Sequence, residues 1–206
     1  MDAYSTSSSS ETQYKTTSRT RAELFQNGVY PEKVRGHARQ ILEDVEPGVE
    51  RYRYAAALTE FVYEEVTEPE DSGNQELFRP DYILDHDVES DCEDQSVLLA
   101  SLLEVRRFNT RFVGAVNDGY GNHLMVQVRF PEDSIPDLEQ EAQSFYNGKV
   151  QELVYQPGED GGAWLLCDPV LSPVPGCVNT DFFRENESGQ LVFREETEHD
   201  IIELDS

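Results

Sequence analysis

Asp91-Cys92-Glu93-Asp94-Gln95-Ser96-Val97-Leu98-Leu99-Ala100-Ser101-Leu102-Leu103 opens acidic and polar, sets a cysteine in its first turn, and then becomes almost wholly apolar. Asp91 or Ser90 can cap the free N–H groups of a helix start, and acids in a first turn suit the positive end of the helix dipole. From Val97 to Val105 only Ser101 and Glu104 interrupt the apolar run. A helix that is apolar on every side is buried. The expected element is a central helix with a thiol at its N-terminus, where unpaired N–H groups and the dipole favour a thiolate. Asp91, Glu93 and Asp94 oppose that charge, so a cationic partner is required, most simply a histidinium.

Around this stretch the composition sets bounds. A chain of 206 residues suits one domain with a real core. A formal net charge of −26 and a pI near 4.3 argue against nucleic acid and against anionic membranes as partners. Lysine occurs only at Lys15, Lys33 and Lys149, and the acids are spread along the chain. Acid excess with scarce lysine resembles the proteins of salt-loving, haloarchaeal organisms, where salt screens the self-repulsion. No apolar run has the length of a membrane span, and Met1-Asp2-Ala3-Tyr4 leads into a Ser/Thr run with no apolar signal core, so a cytoplasmic protein is expected. Cys92, Cys167 and Cys177 are too few, and odd in number, for a disulfide framework.

The rest of the chain supplies elements on either side. Residues 1–20 read as a disordered Ser/Thr-rich tail. Helices are expected over Arg21–Asn27, ending at Gly28, over Pro31–Val45, and over Glu50–Val66, the last with Tyr54, Ala57, Leu58, Phe61 and Val62 inward. Leu77–Glu89, with Pro80 and several acids, reads as an irregular approach to Cys92. Arg111–Val116 and His123–Phe130 read as strands joined through a glycine-containing loop. In the second, Leu124, Val126, Val128 and Phe130 share one face; His123, Met125, Gln127 and Arg129 share the other, more polar one. Pro131–Lys149 reads as a partly helical insertion, Val150–Gln156 and Ala163–Asp168 as strands, and Gln190–Arg194 as an edge strand. The domain layout is a tail (1–20), a helical part (21–106), a sheet part (110–195) and a fraying acidic tail (196–206).

A cysteine opening a buried helix, a histidine opening a strand and an aspartate closing another suit a nucleophile, a base and an orienter. Cys92, His123 and Asp168 are these three candidates. His86 lies nearer Cys92 in sequence and is a rival base, although its neighbours Asp85 and Asp87 suggest a solvated loop. His37 and His199 read as peripheral, Cys167 as a core thiol, and Cys177 as a loop residue without chemistry. No pair among these residues has zinc-ligand spacing, and there is no phosphate loop or dinucleotide fingerprint, so neither a metal nor a cofactor is expected.

Taken together, Asp91-Cys92-Glu93-Asp94 with its leucine-rich helix, Asn122-His123-Leu124-Met125-Val126-Gln127-Val128, and Trp164-Leu165-Leu166-Cys167-Asp168-Pro169 resemble the transglutaminase-like superfamily. The likeness is to its prokaryotic domains with a Gly-Asp-Cys-Glu-Asp signature, and it covers roughly residues 50–170. The resemblance implies an α+β, papain-like core in which a helix with an N-terminal cysteine packs on an antiparallel sheet that supplies histidine and aspartate. It also implies a thiol-dependent amide-bond hydrolase or acyl transferase working through an acyl-enzyme on Cys92, with a peptide or amide as substrate. The alternative is an inactive peptide- or protein-binding module on the same fold. Two positions depart from the family pattern: Ser90 stands where glycine is usual, and Met125 where tryptophan is often found. Glycine at the first would permit an unusual backbone angle. The backbone N–H of Cys92 is one candidate oxyanion donor. Oligomeric state is not legible.

Overall fold

A computed structural model of the chain describes residues 13–14, 21–45, 51–68, 77–117, 121–150, 152–159, 161–177, 182–186 and 191–204. The elements in order are β1 (Gln13–Tyr14), α1 (Arg21–Gln26), α2 (Pro31–Ile41), α3 (Arg51–Glu65), β2 (Leu77–Phe78), α4 (Pro80–His86), α5 (Cys92–Val105), β3 (Thr110–Asn117) and β4 (Gly121–Pro131). A single 3-10 turn over Glu132–Ser134 leads into α6 (Ile135–Phe145). Then come β5 (Tyr155–Pro157), β6 (Gly162–Cys167), β7 (Phe183–Glu185), β8 (Leu191–Phe193) and β9 (Glu198–Glu203).

The fold is α+β, with a central helix packed on an antiparallel sheet. Five strands run in the order β5-β6-β4-β3-β9, each pair antiparallel. The apolar run of α5 is buried on every side, from Val97 to Leu103, as its sequence requires. It packs against Phe112, Leu124, Val126, Val128 and Phe130 on one face of the sheet, and α2 and α3 enclose it from behind. Gly28, at the end of α1, lies where a Cβ would stand 2.9 Å from Leu77 and 3.0 Å from Val97, so only glycine lets the chain pass this close to α5.

The other face of the sheet is also covered. Val113, Ala115, Met125 and Leu166 pack with Val154, Phe182 and Phe183 in a second cluster. The face of β4 expected to be the more polar is therefore buried. Its polar members are paired: the Arg111 guanidinium donates to Gln127 Oε1 (2.8 Å) and Gln156 Oε1 (3.0 Å) and lies 4.0 Å over the Trp164 ring.

Several expectations need correction. Leu77–Glu89 is not irregular: it forms β2 and α4, with Pro80 in the first turn of the helix, where its missing N–H costs nothing. The acidic C-terminal tail is not frayed over 198–203: β9 pairs with β3 from Arg111↔Glu203 to Val116↔Glu198, because Ile202 reaches the main core and the acids point to solvent or to a cleft. Leu191–Phe193 pairs with β7 in a separate ribbon and not at the edge of the main sheet. Within the expected tail 1–20, Gln13 and Tyr14 pair with Phe78 and Leu77; the remainder of that segment lies outside the described residues. On α3 the buried face is Tyr52, Ala55, Ala56, Leu58, Thr59 and Val62, while Tyr54 stays half-buried with Arg106 over its ring. Helical periodicity favoured the larger apolar side chains; packing placed two small alanines inward instead. Among the described residues no helix is long and apolar enough to cross a membrane.

Candidate active site

Asp91 is the N-cap of α5. Its Oδ1 accepts from the backbone N–H of Glu93 (3.0 Å) and Asp94 (3.1 Å). This cap makes Cys92 the first residue of the helix. Ser90 is buried, with its N–H bonded to Thr67 O (2.9 Å), its hydroxyl donating to Val88 O (2.9 Å) and its carbonyl accepting from Gln95 Nε2 (2.9 Å). Its φ is not positive, so the chain enters the helix by a backbone path that serine adopts without strain. The approach nevertheless contains one left-handed non-glycine residue, Asp87 (φ 51°, ψ 54°), which ends α4.

His123 and Asp168 meet through sheet register. Val126 pairs with Cys167, so Asp168, one residue beyond, falls diagonally from His123 on the same face of the sheet. His123 Nε2 lies 2.9 Å from Asp168 Oδ2. The other carboxylate oxygen accepts from Val170 N–H (3.2 Å), so Asp168 both orients the imidazole and closes the turn that ends β6. The Phe182 ring stacks on the imidazole, centroids 5.6 Å apart and planes 11° apart.

Cys92 lines the same cavity as this imidazole and is close enough to favour its charged form. With Nε2 held by Asp168, Nδ1 is the ring nitrogen left to face the thiol. Burial works against a charged imidazole here, but the hydrogen bonds and charges of Asp168 and Cys92 outweigh it and raise the His123 pKa to about 10. Both neighbours thus favour the charged form of the ring, the form that the acidic first turn calls for. The three expected residues come together. The rival His86 does not join them: it stacks on Tyr82 (centroids 4.1 Å) at the exposed end of α4. His37 pairs with Asp85. Cys167 is fully buried, and burial pushes its thiol up to about 12.

Four features were missed in the sequence. Ser96, one turn beyond Cys92, donates to Leu124 O (2.8 Å) and ties the helix start to the strand residue next to His123. Phe182 walls the imidazole. Asp94 is buried and accepts from Phe78 N–H (2.6 Å); burial raises its pKa to about 7. Finally, Cys92 and His123 open onto a cavity of about 610 Å³ whose far wall is β9; His199 on that strand stays peripheral, exposed and stacked on Phe193 (centroids 3.6 Å). Only the Asp91–Asp94 spacing hinted at any of these, as a capping signal. Among the described residues no group of three or more histidines, cysteines and acids is placed to hold a metal ion.

No protein-family model matches the chain. No curated protein matches it either. Among solved structures it is similar to a protein of Cytophaga hutchinsonii whose name assigns it provisionally as a cysteine protease, with 14% identity and a TM-score of 0.46. That likeness covers 91% of this chain and 57% of the other, so the chain spans little more than half the length of that protein.

Proposed function

We propose that the chain is a thiol-dependent amide-bond hydrolase or acyl transferase of the transglutaminase-like superfamily, with Cys92 as nucleophile, His123 as acid and base, and Asp168 as orienter. The observation that supports this most is one imidazole shared between a buried carboxylate and a helix-start thiol: Asp168 at 2.9 Å on Nε2, Cys92 on the remaining side.

In this reading the Cys92 sulfur attacks the substrate carbonyl carbon, forming a C–S bond and an oxyanion. The backbone N–H of Cys92 is the candidate donor to that oxyanion, since those of Glu93 and Asp94 are taken by the Asp91 cap. The imidazolium gives its proton to the leaving amine as the C–N bond breaks, leaving a thioester and a neutral imidazole. Water, or an acceptor amine, then loses a proton to His123 and attacks the thioester. The second tetrahedral intermediate collapses, the C–S bond breaks, the acyl product departs, and the sulfur anion and imidazolium that began the cycle are restored. Asp168 holds the ring through both steps and stabilises its charged form. Hydrolysis is favoured over transfer as the default, since water needs no acceptor channel.

The test is iodoacetamide labelling of Cys92 near pH 6.5 in the parent and in His123→Ala, followed by turnover of a peptide and amide library with Cys92→Ala as blank. Faster labelling in the parent and turnover absent from the blank are expected. Equal labelling of the two proteins overturns the reading and leaves a binding module on this fold.

A further inference from the structure

The cavity that opens on Cys92 runs away from His123 across the α5 side of the sheet. Its floor is Leu124 of β4 and Gly114 and Val116 of β3; its far wall is β9; α1 closes it with Ala22 and Phe25. Strand register orders the wall. Phe112 pairs with Ile202, Gly114 with Asp200 and Val116 with Glu198. Ile202 packs on the main core, so Asp200 and Glu198, two and four residues back, share its face and look along the groove.

Two features make this more than a set of acids. Gly114 sits in mid-strand where a Cβ would meet nothing nearer than Asp200 O at 3.9 Å, so the missing side chain is what leaves the floor open. Beside it Val116 is 43% exposed, an apolar surface inside the groove. The groove therefore offers an apolar trough leading from the thiol to two carboxylates. No lysine or arginine is among its described lining residues. A lysine or arginine side chain has the matching shape: an aliphatic stem and a cationic head.

We propose that this groove is a specificity subsite for a basic side chain of the acyl substrate, its stem over Gly114 and Val116 and its head between Glu198 and Asp200. The proposal rests on Cys92 being the nucleophile, and it names the substrate class as peptides or amides bearing lysine or arginine next to the scissile carbonyl.

The first test needs no turnover. Cys92 is modified by a cationic thiosulfonate, 2-(trimethylammonio)ethyl methanethiosulfonate, and by the anionic 2-sulfonatoethyl reagent. In each the thiolate attacks the reagent's sulfur, a disulfide forms and methanesulfinate leaves. The cation-to-anion rate ratio is expected to fall roughly fivefold or more in Glu198→Gln/Asp200→Asn. It should hold in Glu64→Gln/Glu65→Gln, which removes the same charge from the exposed end of α3. Cys92→Ala gives the background from Cys177. An equal fall in both double variants means that only the net charge of the chain acts, and overturns the proposal.

The second test compares peptide amides that differ only at the acyl residue: lysine, its uncharged isostere norleucine, and glutamate. Lysine should exceed norleucine roughly tenfold in kcat/KM, and Glu198→Gln/Asp200→Asn should abolish the difference. Gly114→Val should weaken lysine and norleucine substrates alike by filling the floor. Turnover of lysine and norleucine at one rate sinks the subsite and leaves the proposed function standing. Absence of all turnover, with Cys92 labelling unaffected by His123→Ala, sinks the proposed function; the reagent ratio still decides whether the groove selects cations.

Discussion

Ser96 Oγ donates to the carbonyl of Leu124 at 2.8 Å, and both residues are buried. Cys92 lies one helical turn before Ser96 and His123 one residue before Leu124, so this bond sets the distance between thiol and imidazole without touching either. Ser96→Ala should cost about 1 kcal/mol of stability, the usual net value of a buried hydrogen bond. Its larger effect should be on Cys92: iodoacetamide labelling near pH 6.5 should slow toward that of His123→Ala while the fold persists by circular dichroism. A variant that loses stability but labels like the parent would show that Ser96 is structural only.

Asp168→Asn keeps the volume and a hydrogen-bond acceptor but removes the charge that holds His123 protonated. Turnover should fall by about two orders of magnitude or more. The alkaline limb of kcat/KM, set in the parent by His123 losing its proton near pH 10, should move down toward the ordinary imidazole range. The sign for stability follows from the same shift. The raised histidine pKa contributes stability that is fully present below about 6.5 and is lost as pH rises through about 10. Urea denaturation at pH 7 and pH 10 should show a larger loss in the parent than in the variant. The same loss in both would mean that the carboxylate does not hold the proton on His123.

Much of this site is legible in the sequence because it is built from local signals. A cap, a cysteine and an apolar run specify α5 and its thiol terminus, and period-two alternation specifies β4. Asp168 is harder, since a residue before Pro169 reads equally well as a turn; in the structure it does both jobs. What the sequence hides is whatever depends on pairing between distant strands. Glu198 and Asp200 read as part of an acidic tail because nothing local distinguishes them from the chain's other carboxylates. Only β9 docking beside β3 turns them into a wall of the cleft. Phe182 and Ser96 are hidden for the same reason: the face of β4 that Phe182 covers has a polar sequence, and a serine within an apolar helix gives no sign of which strand carbonyl it will find.

Asp94 offers a separate test of the helix start. Burial raises its pKa to about 7, against the lowering effect of the Phe78 N–H and with the Asp91 charge adding to it. The folded state therefore holds this proton more tightly than the unfolded chain does. The stability it contributes is fully present at low pH and is lost as pH rises to about 7, the reverse of a salt-bridged aspartate. Asp94→Asn mimics the protonated form. Between pH 5 and pH 8 the parent should lose about 1–3 kcal/mol more than the variant. The check is urea denaturation at the two pH values; parallel losses would place the Asp94 carboxyl in the usual range.

Arg111 is only 8% exposed, and its guanidinium serves two glutamines, an outer carboxylate and an aromatic face at once. Nε donates to Gln127, one Nη to Gln156 and the other to Glu203 (3.3 Å), with the plane over Trp164. This cluster joins β3, β4, β5, β6 and β9 on the face away from α5, so it fixes the lateral order of the strands that carry His123 and the groove wall. Lysine keeps the charge but not the planar fork. Arg111→Lys should lower stability by about 2 kcal/mol or more, because the oxygens of buried Gln127 and half-buried Gln156 lose donors that one ammonium cannot replace. The urea midpoint should fall with an unchanged slope, since the surface exposed on unfolding is the same. A midpoint within error of the parent would mean that the strands hold their order through packing alone, and that the guanidinium merely occupies the space.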